Sequence, residues 1–241
     1  MKVARAYEWS FAAAGARRAL SLAGLVMALS FAGFGAMLRA LHLPLWPGLL
    51  STIFVWALPG QVVMVEGLAA GLPLPLVAAA VTLTAVRLMP MVVLVLARAR
   101  LPGASAWPAW WAAHYIAATV WIVSDMHLDA VPRPGRLPWV IGLGTALLTG
   151  MVAATATGYL LAGRLPVALA ATLVLFTPAF FFIALLDGAR HRADWLAIAA
   201  GALAGPALRI VWPGFDMLLA GLGGGTLAFL IGRLGRGRAG R

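Results

Sequence analysis

Cysteine is absent from this 241-residue chain, so disulfides, thiolate catalysis and cysteine-ligated metals are excluded. Charge is scarce: Asp, Glu, Lys and Arg together make up 10% of the residues, against about a quarter in a soluble domain. Only seven residues are acidic, and Lys2 is the single lysine beside 17 arginines. The histidines His42, His114, His127 and His191 have no metal-ligand spacing. The sequence also lacks an H-E-x-x-H, a Walker A and a G-x-S-x-G motif, so no embedded protease, ATP-driven pump or other enzyme is legible. No cofactor is implied.

What the chain has in quantity is apolar surface. Hydrophobic residues make up 63% and the mean hydropathy is +0.97. A water-soluble protein of this size has no interior large enough to hide that much. The bilayer is therefore its solvent, and the class is all-α, because uncharged runs of about 20 residues suit helical spans. Eight segments result, at about 19–40, 46–69, 73–97, 107–125, 138–162, 167–187, 194–211 and 214–233. If one is re-entrant, the count is seven. The expected architecture is a polytopic transmembrane helical bundle of seven or eight helices, with at least one broken helix. A basic cytoplasmic segment, 1–18, precedes the membrane domain at 19–233, and a basic tail at 234–241 comes after it.

The net charge of +11 resembles that of a nucleic-acid binder, but the basic residues cluster at the ends of apolar runs and at the termini, where they set topology. Nucleic acid is not an expected partner; membrane lipids are, with the tail adding contact to anionic headgroups. Eight spans place both termini on one side. That side carries twelve basic residues, and the other carries Arg39, Arg98, Arg100, Arg164 and Arg209. The excess favours cytoplasmic termini, although Arg98 and Arg100 oppose it. The ten tryptophans fall near segment ends, as interfacial anchors do. The glycines of Gly221-Leu-Gly-Gly-Gly225 lack the strand and lysine of a nucleotide loop and suit close helix packing.

An internal echo suggests a repeat. Gly35-x-x-Leu38 followed by Leu43-Pro44 parallels Gly158-x-x-Leu161 followed by Leu165-Pro166. Each leads to an apolar helix interrupted by proline, at Pro59 and Pro178, and then to Arg87 before Pro90 or Arg209 before Pro213. Repeats are common in secondary transporters.

Candidate site residues lie where polarity interrupts apolar sequence. Pro59 and Gly60 break the second segment, and Gln61 sets a side-chain amide at the break. A broken helix offers a zwitterion its N-terminal amides for the carboxylate and its C-terminal carbonyls for the ammonium. The plainer alternative is a proline kink with Gln61 bonded to a neighbouring helix. Ser51, ten residues earlier, points toward the same cavity on this reading. Arg87, inside the third segment, is a ligand for a substrate carboxylate, a partner for Asp125, or a snorkelling interfacial residue. Asp125 closes the fourth segment as a proton or ammonium site, or pairs with Arg133. His114 is a proton-relay candidate or a hydrogen-bonded packing residue. Glu66 reads as interfacial, or as a partner for Arg87.

In this order the marks resemble the AzlC family of branched-chain amino acid exporters, over roughly residues 20–232. Phe31-Ala-Gly-Phe-Gly35 and Pro44 come first; Ser51 then leads to Gln61, similar to the family's Ser…Ala-Gly-x-x-Gln. The Arg87 helix is similar to its Asn-x-Arg-His segment, Asp125 to the Asp of its Thr-Asp-Glu, and Leu175-Phe-Thr-Pro-Ala-Phe-Phe-Phe-Ile183 to its Phe-x-x-x-Phe helix. The sequence departs from that pattern at Ala85 (family Asn), Leu88 (His), Met126 (Glu) and Pro59-Gly60 (small residues). The resemblance implies a secondary transporter subunit in the bacterial inner membrane that exports branched-chain or other small hydrophobic amino acids. It also implies an ion gradient as the drive and a small AzlD-like membrane subunit as partner. A different solute, or a non-transporting scaffold subunit, is the alternative.

Overall fold

The computed structural model describes residues 7–162 and 192–211, with isolated positions between 168 and 230. Every element among the described residues is helical. They are α1 (Phe11–Arg17), a 3-10 turn (Arg18–Leu20), α2 (Leu22–Ala40), α3 (Leu45–Phe54), α4 (Leu58–Ala69), α5 (Leu74–Val86), α6 (Met89–Ala99), α7 (Trp107–Tyr115), α8 (Ala118–His127), a second 3-10 turn (Leu128–Ala130), α9 (Arg133–Leu161) and α10 (Arg192–Val211). The predicted segments 167–187 and 214–233, the Pro178 and Pro213 marks of the echo, and the basic tail lie outside the described residues, apart from isolated positions.

The axis of the fold is α9, 29 residues long and apolar enough to cross a membrane. Helices α1 and α2 run beside it in the same direction. The Glu8 amide donates to the Pro134 carbonyl (3.0 Å), Gly15 lies on Trp139, Gly24 on Leu147, and Gly35 on Thr155. Glycine makes the approach possible. A Cβ on Gly35 would overlap the Thr155 carbonyl oxygen, and one on Gly158 would overlap that of Ala32. Gly15 and Gly142 make a second such crossing at Trp139 and Ala12. In lipid, helices associate through close packing rather than through hydrophobic exclusion from water, so small residues mark their contacts. The echo glycines Gly35 and Gly158 thus lie at one crossing, each against the backbone of the opposing helix. Residues 11–17, which charge alone assigned to the segment before the bundle, are helical and packed on α9.

Three of the predicted segments are each two helices. Proline accounts for two of the breaks. Its ring clashes with the carbonyl four residues back and it lacks an N–H. Pro90 acts on Val86, where α5 ends, and the chain bends by 46° into α6. Pro59 acts on Val55, so the second segment opens at 55–57, just before the Pro59-Gly60 pair that marks it in sequence. Pro59 itself sits in the first turn of α4, where a missing N–H costs nothing. The fourth segment opens at Ile116 and Ala117, both extended, with no proline to announce it.

These breaks change the path of the chain. Helix α3 leaves the far end of α9, where the Tyr159 hydroxyl donates to the Leu43 carbonyl (3.1 Å), and reaches Thr155 through Thr52. Helix α4 pairs antiparallel with α5: Gly60 lies on Thr84 and Gly67 on Val77. Helices α5 and α6 then descend to the near end of α9, where Arg136 donates to the Arg98 carbonyl (3.3 Å). Helix α7 rises from that end until Tyr115 packs on Gly144, and α8 returns to it at Asp125. So α3–α4 is a hairpin entering from the far end, and α7–α8 is one entering from the near end. By length and composition, two described helices qualify as spans (α2 and α9), or three if α5–α6 counts as one. Segments 46–69 and 107–125, expected to span, are these two hairpins.

The glycine crossing yields a first prediction. Gly158→Leu is expected to destabilise the protein by about 1–3 kcal/mol through overpacking, read as a lower unfolding midpoint in detergent. Gly150→Leu, with nothing within 4 Å of its Cβ position, is expected to leave the midpoint unchanged.

Candidate functional site

The bend of the first hairpin holds a cluster of buried polar side chains. Ser51 and Thr52 lie in the last turn of α3, and their hydroxyls donate to the Gly48 carbonyl at 2.7 and 2.9 Å. This leaves both oxygens free to accept, and Gln61 Nε2 donates to them at 2.9 and 3.0 Å. Thr52 also meets Thr155 of α9, oxygen to oxygen at 3.4 Å. Gln61, Thr52 and Thr155 are fully buried and Ser51 nearly so. The sequence pairing of Ser51 with Gln61 is a direct bond. Thr52 and Thr155 escaped the sequence reading: a threonine in an apolar run carries no signal until its neighbour is known.

One atom of this cluster is unsatisfied. Gln61 Oε1 is buried and accepts no hydrogen bond among the described residues. An unmet buried acceptor costs about 1–3 kcal/mol, so its position suits a donor brought from outside. Gly60 lies next to it, and a Cβ there would sit 2.9 Å from Thr84 Oγ1. Arg87 is three residues beyond Thr84, at the surface of the α5–α6 bend, and three-residue spacing sets the two on one face. Pro59, Gly60, Gln61 and Arg87 therefore belong to two adjoining breaks.

The bends of the two hairpins touch. Trp56 Nε1 donates to the Tyr115 carbonyl at 2.8 Å, and His114 Nε2 lies 2.8 Å from the Ile53 carbonyl, which only an N–H can satisfy. Trp56 is buried, packs 6.3 Å from Phe31 between ring centroids, and has φ of 48°. The left-handed region costs a non-glycine residue about 1–2 kcal/mol, and such strain gathers at functional sites.

Asp125 is placed apart from Gln61, at the near end of α9. Arg98 binds Asp125 at 2.6 Å and Asp129 at 2.8 Å, while Arg136 reaches Asp129 at 3.5 Å and donates to the Val131 carbonyl at 2.9 Å. Its partner is thus Arg98, rather than the Arg87 or Arg133 considered from sequence. The network ties α6, α8 and α9 together at their common end. The carboxylates are largely exposed, with 61% and 77% of the side-chain surface accessible, so each pair is worth about 1 kcal/mol or less. No group of three metal-ligating side chains occurs among the described residues.

A family model described as AzlC protein matches residues 23–165, from the start of α2 to just past the end of α9. The chain belongs to the AzlC family. The match takes in both hairpins, the glycine crossing and the Gln61 cluster. AzlC proteins are associated with membrane transport rather than catalysis, and the apolar helices agree with a membrane protein. Neither a curated protein nor a solved structure matches the chain.

The unpaired oxygen makes a stability prediction. Gln61→Met is expected to change the unfolding midpoint by less than about 1 kcal/mol equivalent, because it removes an unmet buried acceptor while Ser51 and Thr52 keep their bonds to Gly48. A fall of several kcal/mol would show that the amide is structural.

Proposed function

We infer that this AzlC protein is a secondary transporter subunit that exports branched-chain or other small hydrophobic amino acids across the bacterial inner membrane, together with a small AzlD-like membrane subunit. The observation that carries the reading is the Gln61 cluster: a buried side-chain oxygen without a partner, in a broken hairpin, in a transport family. Gln61 contacts the substrate, with Ser51 fixing its amide and Pro59 and Gly60 keeping the backbone open. Arg87 at the adjoining bend attracts the carboxylate, and the surrounding Leu, Val and Phe side chains suit an apolar substrate. Asp125 and its ion pairs lie at the mouth on the near end, where a coupling proton would enter, and His114 stands between that mouth and the first hairpin.

Orientation gains support as well. Arg98 shares an end with Arg136 and the N-terminal helix, so this arginine, counted against cytoplasmic termini in sequence, agrees with them. The near end is then the cytoplasmic one.

A second reading has its own observation. Both hydrogens of Gln61 Nε2 are used inside the protein, as in a non-transporting scaffold subunit. The test is efflux from bacteria preloaded with leucine-containing dipeptides and expressing the chain with its small partner. Partner-dependent leucine efflux is expected, reduced about tenfold or more in Gln61→Ala, since a hydrogen bond to a charged group carries about 1.5–3 kcal/mol. Equal efflux from both keeps the exporter and removes Gln61 from its site. No efflux from wild type, with the complex in the membrane, selects the scaffold or another solute.

A further inference from the structure

The proposed site belongs to the first hairpin. The second hairpin contributes groups of the same kind, and the two meet where both are broken. Helix α3 ends at Phe54 and α7 at Tyr115. The last carbonyls of a helix have no partner within it and carry the negative end of its dipole. Here two of them, on Ile53 and Tyr115, are each held by a side-chain N–H from the opposite hairpin, His114 and Trp56 respectively. The exchange is reciprocal: each hairpin gives one carbonyl and one donor. Immediately beyond the bends, α4 and α8 begin, so two helix N-termini succeed the two C-termini. His114, at one side of the seam, is exposed.

An α-amino group is an ammonium with three N–H donors and no acceptor. Near the breaks the protein offers three carbonyl-type oxygens: those of Ile53 and Tyr115, and Gln61 Oε1, which is buried and unpaired in the first turns of α4. The first two are occupied by ring N–H donors, of which the Trp56 indole is neutral, and an ammonium displaces a neutral donor because charge-assisted bonds are about twice as strong. The carboxylate of the same molecule suits the N-terminal ends of α4 and α8. Trp56 held at φ 48° is consistent with a side chain kept in place by the bond it would release.

We propose that the seam between the two hairpin bends is the amine-binding half of the substrate site, where the Ile53 and Tyr115 carbonyl oxygens take the substrate's ammonium once His114 and Trp56 let go of them. This rests on the exporter reading for the nature of the substrate, but it assigns new residues and a second hairpin. Because one ligand then replaces bonds that join the hairpins, its binding is coupled to their separation.

The test is calorimetric titration of the full-length chain in lipid nanodiscs with three probes sharing one side chain: L-leucine, 3-methylbutylamine, which lacks the carboxylate, and 4-methylpentanoate, which lacks the ammonium. Trp56→Phe keeps a buried ring but removes the competing donor, and His114→Ala removes the other donor at an exposed position. Both variants are expected to bind 3-methylbutylamine about two- to tenfold more tightly than wild type, the range set by one neutral hydrogen bond. Neither should change 4-methylpentanoate binding. Unchanged or weaker amine binding in folded His114→Ala overturns the proposal, as does failure of the amine to bind wild type at all. Amine binding without leucine binding keeps the seam and sinks the amino acid reading; leucine efflux without amine binding does the reverse.

Discussion

A bilayer interior supplies no water to an interrupted backbone, so each broken helix must pass its freed amides and carbonyls to another part of the protein. This constraint organises the fold. At the first hairpin the Ser51 carbonyl takes the amides of both Val55 and Trp56, and the Ile53 carbonyl goes to His114. At the second, the Tyr115 carbonyl takes the Trp56 indole and the amide of Ala117. The two breaks satisfy each other. Each break relies on the other for these bonds, and the parallel pair of α2 and α9 holds both hairpins in line. The close glycine contacts of that pair are therefore the frame on which polar chemistry becomes possible inside an apolar chain.

The sequence disclosed the class of protein and the place of its polar cluster for one reason: polarity is so rare in it that each exception stands out. Gln61 and Ser51 were visible on that ground, and so was the broken second segment, because Pro59 writes its break into the chain. The bend at Pro90 obeys the same rule. The break at Ile116 does not; Trp107 to Asp125 reads as an unbroken apolar helix, and only the tertiary path shows that it turns back. Hydropathy measures how much apolar length there is. It is silent on whether that length crosses or returns, which is why two hairpins read as two spans.

The side given to each charge depends on the same count. Arg98 and Arg100 were assigned to a side by counting spans, and every hairpin counted as a span reverses the side of all later residues. With the chain path in hand, Arg98 joins Asp125, Asp129 and Arg136 in a single network. Asp125 was singled out as an acid closing the fourth segment, and its carboxylate is exposed near the end of α8. Its partner, 27 residues earlier along the chain, depended on α7 and α8 forming a hairpin, which no local pattern encodes.

The short arms of the hairpins set a length scale. Helices α3 and α8 have 10 residues each, so each arm is about 15 Å long. Two such arms, entering from opposite ends, sum to about 30 Å, the thickness of a hydrocarbon core. Helix α9, with 29 residues, is about 43 Å long and can meet a thicker or thinner bilayer by tilting. The arms have less of that reserve, because α3 is held at its outer end by the Tyr159–Leu43 bond and α8 by the Arg98 network. Mechanical load from a change in membrane thickness therefore falls first on the bonds of Trp56 and His114.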